Sequence, residues 1–296
     1  MRLRQSGIAF VVVIWVLLLL TVLLAGFAVI SRTEALQARH LAESTRARYM
    51  AEVGISRAVW ELRNTDPLTR WVGDGRPYDF EFESAKISVG VQDESGKLDI
   101  NAANGEVMRR FFASSGIDER LAQQISDAVL DWRDADDLTQ PMGAEDADYE
   151  REDYPYGAAD TGFQTVGELQ QVMGMDYELY RRLEPDLTIW GGTDTPNAGS
   201  ASRAVLLSFP NMTPELADQL IALRQQVQPG DPAAAGLTLP DGTPLLSGGG
   251  GVTYTVRSKA TLANGAWTEV NATIRLGGAA GARAYTILQW REGSAG

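Results

Sequence analysis

Ten carboxylates crowd residues 131–153: Asp131, Asp134, Asp136, Asp137, Glu145, Asp146, Asp148, Glu150, Glu152 and Asp153, against two bases, Arg133 and Arg151. Pro141 and Gly143 place most of this stretch in a loop. So many like charges repel one another unless solvent or a cation screens them. Calcium suits such a loop, being a hard ion that takes six to eight oxygen ligands. Asp134 and Asp136 share one side of an extended stretch, and Glu145 and Asp146 return after the turn to close a cage. Asp137 and Asp148 are further candidates. The loop has no glycine at the sixth position from Asp134, so it is not an EF-hand. On charge alone, a merely solvated acidic loop remains the alternative.

Other chemistry is scarce. The 296 residues contain no cysteine and one histidine, His40. Disulfides, thiolate metal sites and Cys–His or Ser–His nucleophile pairs are therefore missing from the repertoire. The acid pairs lack a glycosidase-like setting. We expect no enzyme; a membrane-anchored calcium-dependent hydrolase is the alternative from that class.

These acids must be carried by the rest of the chain, and the chain opens on a membrane signal. Ile8 to Ile30 is an uncharged run of 23 residues, roughly 34 Å as a helix and enough to cross about 30 Å of hydrocarbon. Arg2 and Arg4 precede it and no acid occurs before Glu34, so the short N-terminal side stays cytoplasmic and the remainder is exported. The run exceeds a secretory h-region and no small-x-small cleavage site follows, so it stays attached. Beyond it stand 24 bases against 39 acids, a surface that repels phosphate backbones. From Ser31 to Arg63 there is no proline and only Gly54. Leu41, Tyr49, Ile55, Val59 and Leu62 fall near helical spacing, which predicts one helix from Ile8 to Leu62 whose second half packs on the domain. His40 is read as an exposed residue of that stem.

Asp66-Pro67 and Gly73–Pro77 break the helix. Period-two alternation then predicts strands at Tyr78, Phe80 and Phe82, and at Ile87, Val89 and Val91. The same signal returns at Val252, Tyr254 and Val256, at Val270, Ala272, Ile274 and Leu276, and at Ala284, Thr286, Leu288 and Trp290, with Gly277–Gly281 as the last turn. The sequence between is helical and weakly duplicated: helices follow Asn101-Ala102-Ala103 and Asn197-Ala198, with hairpins at Gly116-Ile117-Asp118 and Pro210-Asn211-Met212-Thr213. Residues 165–180 give another short pair, and Thr165 and Thr213 are expected N-caps. The units resemble helix-hairpin-helix modules. Their hairpins lack a glycine-rich phosphate cradle and basic neighbours, so we expect a scaffold that binds no nucleic acid. Gly248–Gly251, with no Lys-Ser/Thr after it, reads as linker.

The N-terminus also resembles a type IV prepilin leader: a short basic segment ends in Gly7, and the apolar run starts at once at Ile8. That likeness implies cutting after Gly7 by prepilin peptidase and methylation of Ile8, where most relatives carry phenylalanine or methionine. The fifth mature residue is then Val12, where pilins and most pseudopilins carry glutamate. An apolar residue there is what the K-type minor pseudopilin shows. Asp131-Trp132-Arg133-Asp134-Ala135-Asp136, then Pro141-Met142-Gly143-Ala144-Glu145-Asp146 and Tyr149, resemble the general secretion pathway protein K family of type II secretion. So do Asp93-Glu94-Ser95-Gly96 with Asn101-Ala102, and Phe163–Leu169. The resemblance implies calcium binding, carried onto Asp134, Asp136, Glu145 and Asp146, with Asp137 and Asp148 weaker. It implies partners as well: I-type and J-type minor pseudopilins, other pseudopilins, prepilin peptidase and the inner membrane.

The expected fold is α+β. A long transmembrane and stem helix carries a pilin-like antiparallel sheet, interrupted by a large inserted all-α domain of helix-hairpin-helix or SAM-like type. The divisions are residues 1–7 leader, 8–30 transmembrane helix, 31–95 stem and first strands, 96–240 insertion with the acidic loop, and 241–296 last strands. The expected role is a structural tip subunit of the pseudopilus, with the domain in the periplasm. A single-span periplasmic adaptor outside any pilus is the alternative.

Overall fold

The computed structural model describes residues 8–228, 231–232, 236–246, 250–277 and 283–293. Gly7 and the rest of the expected leader lie outside them, as do 278–281 of the expected last turn and 248–249 of the glycine run.

Helix α1 spans Ile8–Leu62 as 55 unbroken residues. Its N-terminal part is apolar enough to cross a membrane, with a mean hydropathy of 3.0 in its best window and none of that window buried by protein. Along the chain follow β1 (Asp74–Phe82), β2 (Ala85–Asp93), β3 (Leu98–Asp99), α2 (Gly105–Ser114), α3 (Glu119–Arg133), α4 (Asp146–Arg151), α5 (Tyr177–Leu183), β4 (Leu187–Thr188), α6 (Arg203–Leu206), α7 (Pro214–Arg224), β5 (Thr253–Thr261), β6 (Trp267–Leu276) and β7 (Tyr285–Glu292). The five long strands form one antiparallel sheet in the order β1-β2-β5-β6-β7. Everything from β3 to α7 enters between β2 and β5, two strands that pair directly.

The described residues build two separate cores. In the first, Ala47, Met50, Ala51, Ile55, Ala58 and Val59 of α1 lie on Ile87, Val89, Val91, Val256, Val270, Ala272 and Ile274, which the period of two sends to one face of the sheet. The stem differs from its sequence reading at one end. Ile55, Val59 and Leu62 pack as expected, but Leu41 and Tyr49 are 67% and 60% exposed. Burial starts only at Ala47, because the sheet ends there and the helix projects past it. Strand β7 differs too. Leu288 is an extra residue in the pairing, since Thr273 faces Gln289 and Ile274 faces Ile287. That bulge shifts the parity, so Trp290, Ile287 and Tyr285, rather than Leu288, Thr286 and Ala284 with Trp290, stand opposite Ala272, Ile274 and Leu276. Val252 precedes β5 and is exposed.

The second core belongs to the insertion, where Phe111, Phe112, Ile125, Trp132, Tyr149, Leu169 and Leu206 are among the buried side chains. Three hairpins share one local geometry. Gly116, Gly174 and Asn211 take positive φ angles of 84°, 92° and 58°. Two residues later Asp118, Asp176 and Thr213 cap the helix that follows, accepting from the N–H groups of Arg120, Leu179 and Leu216. The residue between, Ile117, Met175 or Met212, packs into the core. Thr165 caps a 3-10 turn at Val166–Gln171 together with Glu168.

Gly54 is the one helical position where the stem touches the sheet without a side chain. A Cβ there would lie 2.0 Å from Ser258 Oγ and 3.0 Å from Ile87 Cγ2. Gly54→Val should therefore cost about 2–3 kcal/mol by overpacking, read as a lower urea midpoint for the full chain in detergent; an unchanged midpoint would contradict the close approach.

A candidate cation site on the inserted domain

The acidic loop is built on the last two turns of α3. Asp127, Asp131 and Asp134 recur at spacings of four and three, which stacks them along one side of the helix. Two of these acids hold the loop. Asp131 is buried and accepts the Gln140 N–H with both oxygens, at 3.0 and 3.2 Å. Asp127 accepts from Met142 N at 3.1 Å and from Gln123 Nε2 at 2.7 Å. Gly143 is required where the loop crosses this pair, since a Cβ there would sit 1.8 Å from Asp131 Oδ2.

With the loop fastened this way, the charge of Asp134 reaches Glu145. Asp134 ends α3 and Glu145 begins α4. Counted from Asp134, Glu145 is the twelfth residue, the spacing at which EF-hand loops place their bidentate glutamate, although Thr139 occupies the sixth position. Asp134 Oδ1 and Glu145 Oε1 are both buried and have no hydrogen-bond partner. Burial pushes the Glu145 carboxyl up to about 7, helped by the charges of Asp131, Asp134, Asp160 and Asp137. Burial likewise raises Asp131 to about 6, and it raises Asp134 too, helped by the charge of Asp136. The two bases of the stretch are spent elsewhere. Arg133 donates to the carbonyls of Ile100 and Ala103 at 2.6 and 2.7 Å, and Arg151 pairs with Asp148 at 2.7 Å.

The remaining candidates divide. Asp136 and Asp137 are exposed at the rim, and Asp136 accepts the Leu138 N–H at 2.9 Å. Asp146 turns away along α4 and lies against Gly157, whose added Cβ would be 1.8 Å from Asp146 Oδ1. Asp148 accepts the Glu145 N–H at 3.2 Å and the Arg151 guanidinium, contacts that hold its carboxyl below the usual range. Asp160, outside the stretch the sequence singled out, faces Asp134 and Glu145 closely enough to raise both. Nothing in its neighbours, Ala-Ala-Asp-Thr-Gly, marks it. Among the described residues no three acids or histidines already form a metal-ligating group. Two orphaned buried oxygens inside a ring of like charge nonetheless match an oxygen-seeking divalent cation.

Beneath the loop lies an aromatic floor. Trp132 stacks on Phe163 at 6.1 Å and meets Tyr149 and Tyr156 edge-on, while Asn101 bonds both the carbonyl and the N–H of Phe163 at 2.9 and 2.8 Å. Tyr149 donates no charge to the site: its hydroxyl accepts from Met173 N at 3.0 Å and burial pushes it up to about 12. This floor explains why aromatic residues alternate with the acids, as both halves of the loop need a rigid base.

Because Glu145 and Asp131 bind protons more tightly when folded, the fold binds more protons than the unfolded chain between their ordinary values and about 6 to 7. Stability in chelator should thus fall as pH rises from about 4 to about 7. Glu145→Gln should flatten that slope in thermal melts; an equal slope in the variant would contradict the crowding.

Comparison with known proteins places these features. Residues 88–192 match the family model described as type II secretion system (T2SS), protein K. The type II secretion system protein K of Pseudomonas aeruginosa is 26% identical over 247 residues, covering 76% of this chain and 74% of that protein. That of Pectobacterium carotovorum is 35% identical over 118 residues, 40% of this chain and 35% of the relative. In fold, the chain is similar to a chain from the crystal structure of the GspK–GspI–GspJ complex of the enterotoxigenic Escherichia coli type 2 secretion system, with a TM-score of 0.53 at 18% identity over 89% of this chain and 99% of that one. The matched segment starts within β2 and contains the acidic loop and its aromatic floor, and over that stretch the chain is similar to type II secretion system protein K.

Proposed function

We propose that this protein is the tip subunit of a pseudopilus. It sits in the inner membrane by residues 8–30, carries its domain in the periplasm, initiates assembly with I-type and J-type minor pseudopilins, and supports protein export across the outer membrane. Its role is structural, not catalytic. The observation that carries this reading is Val12, a solvent-facing apolar residue on the bare half of α1. A carboxylate at that depth is costly unless a cation meets it, and in a fibre the cation would be the terminal ammonium of a neighbouring subunit. A subunit with nothing stacked above it needs no such charge. The inserted domain adds width beyond the sheet, which favours an end over a shaft position. Likeness in fold to a chain solved in a complex of three such proteins supports the choice of partners. Processing after Gly7 and methylation of Ile8 by prepilin peptidase belong to the same reading.

The acidic loop we assign to calcium. Asp134 and Glu145 would hold the ion with their orphaned oxygens, and Asp136, Asp137 and Asp160 would close around it, while Asp146 would have to turn from Gly157 to join them. The ion would supply positive charge that relieves the repulsion between these carboxylates. Asp127 and Asp131 position the loop, Gly143 lets it pass, and the floor of Trp132, Tyr149 and Phe163 keeps both sides in register.

Co-expression of the full chain with I-type and J-type partners should yield one detergent-stable complex of all three, with a mature N-terminus at Ile8. Separate recovery of the three proteins, or an intact Met1 in membranes, would favour a single-span adaptor. Calcium at one hundred times its Kd should stabilise the fold by about 2.7 kcal/mol, seen as a raised melting midpoint at pH 7.5. The gain should vanish in Asp134→Ala combined with Glu145→Ala and shrink at pH 5, where protons compete. No shift in the parent protein would remove the calcium assignment.

A further inference from the structure

We propose that the free edge of β1 and the aromatic groove beside it bind an extended stretch of another protein, one that alternates bulky apolar and basic residues and adds to the sheet as a sixth strand. β1 and β7 are the two outer strands of the sheet. Exposed edges invite pairing, and proteins blunt them with proline, bulges or charge. β7 carries its bulge at Leu288. The first half of β1 carries Pro77 and a register shift between Asp74 and Pro77. Its second half, residues 78–82, pairs with β2 residue for residue and has neither device. Among the described residues, no loop or cap bonds the backbone of 78–82 from the other flank.

The side chains of this half alternate between two faces. Tyr78, Phe80 and Phe82 stand opposite Val89, Ile87 and Ala85, on the face that carries α1. Together with Val53 and Arg57 of α1 and with Trp71 they line a groove of about 660 Å³ along the edge. Trp71 stacks on Tyr78 at 4.1 Å and closes one end, while Phe82 stays 42% exposed at the other. Arg57 is taken up by Glu61 and by the Trp60 ring, which leaves the groove apolar in character. Asp79 and Glu81 point to the opposite face and are exposed, and Glu83 follows them in the turn. Among the described residues none of these three acids enters an ion pair. Lys86 stands across from Glu81, and Lys259 lies over the Trp267 ring at 4.4 Å.

The charge pattern decides between occupants. A second copy pairing antiparallel about Phe80 would set Asp79 against Glu81 twice, and like charges directly opposite one another destabilise a strand pair. An acidic strand meets the same penalty. A strand of another protein with Lys or Arg opposite Asp79 and Glu81 gains cross-strand charge pairs instead, while its alternate apolar residues fall into the groove. Main-chain hydrogen bonds to the free flank supply affinity, and the groove and the acids supply selectivity. The edge is thus guarded against its own kind and open to a cation-bearing strand.

The probe is a fluorescein-labelled peptide, Lys-Val-Lys-Ile-Lys-Val-Lys, titrated into the full chain in detergent and followed by anisotropy. No other pseudopilin is present, so the outcome is separate from the tip assignment. The probe should bind with a Kd below about 100 µM, and Glu-Val-Glu-Ile-Glu-Val-Glu should not bind. Asp79→Lys combined with Glu81→Lys, both at exposed positions, should weaken the basic probe at least tenfold and admit the acidic one. Glu150→Lys combined with Glu152→Lys makes the same change of charge on the inserted domain and should leave binding unchanged. Phe82→Ser should weaken it at least threefold. Because alternate N–H groups of a strand face its neighbour, N-methylation of alternate probe amides should weaken binding in one of its two frames and not in the other. No binding of the basic probe, equal loss in the Glu150 and Glu152 variant, or equal binding by both methylated frames would overturn the proposal.

Discussion

The architecture depends on one constraint: the two ends of the insertion must return to neighbouring positions of a sheet. Asp93, the last residue of β2, pairs with Tyr254 near the start of β5, although some 160 residues separate them. The return is secured by polar contacts at the joint. Asp93 accepts N–H groups from both sides of the insertion, Ser95 at 2.9 Å and Gly251 at 2.6 Å. Gly251 has no room for a side chain there, as a Cβ would approach Asp93 Oδ1 to 2.5 Å. One residue on, Glu94 links β4 of the insertion to β5 of the sheet through two threonine hydroxyls. On the far side, buried Asp74 on β1 holds Arg76, whose guanidinium donates to the carbonyl of Arg224 at the end of α7. Closing so long a loop costs only slowly growing entropy, and buried charge-assisted hydrogen bonds of this kind fix orientation as well as affinity. The insertion is thereby seated on the sheet instead of hanging from a linker.

That seating relates the two functional regions. The acidic loop is fastened to α3 by Asp127 and Asp131, and α3 packs against α2, which follows directly from β3 and its pairing with β4. A change at the loop is thus made on a rigid body joined to the sheet through Asp93, Glu94 and Arg224. Burial and mutual repulsion at the loop raise the proton affinity of Asp131 and Glu145. The projecting turns of the stem leave Leu36, Leu41 and Tyr49 uncovered among charged residues between the apolar run and the domain.

Much of this was readable in the residues. The helix from Ile8 to Leu62 follows from an unbroken apolar run joined to a proline-free stretch, and the five long strands follow from period-two alternation. The caps Thr165 and Thr213 carry local signals as well. The parts that were not readable are those set by tertiary contact. The turn between β1 and β2 uses Glu83 and Ser84, both at positive φ, with no Asn-Gly to announce it. The bulge at Leu288 changes which face of β7 is covered without changing its composition. In the loop, ten acids look alike in sequence, and only packing separates Asp131, which together with Asp127 of α3 holds the backbone, from Asp134 and Glu145, each of which keeps one buried oxygen without a partner. Asp160 reaches the same place from another segment, and no spacing rule could have included it.

The central claim is that nothing stacks above this subunit. Because the chain has no cysteine, Gln170→Cys, at an exposed position, gives a unique thiol for a gold label on assembled fibres. The account predicts one particle per fibre, at the end distal to the membrane; particles spaced along the shaft would contradict it.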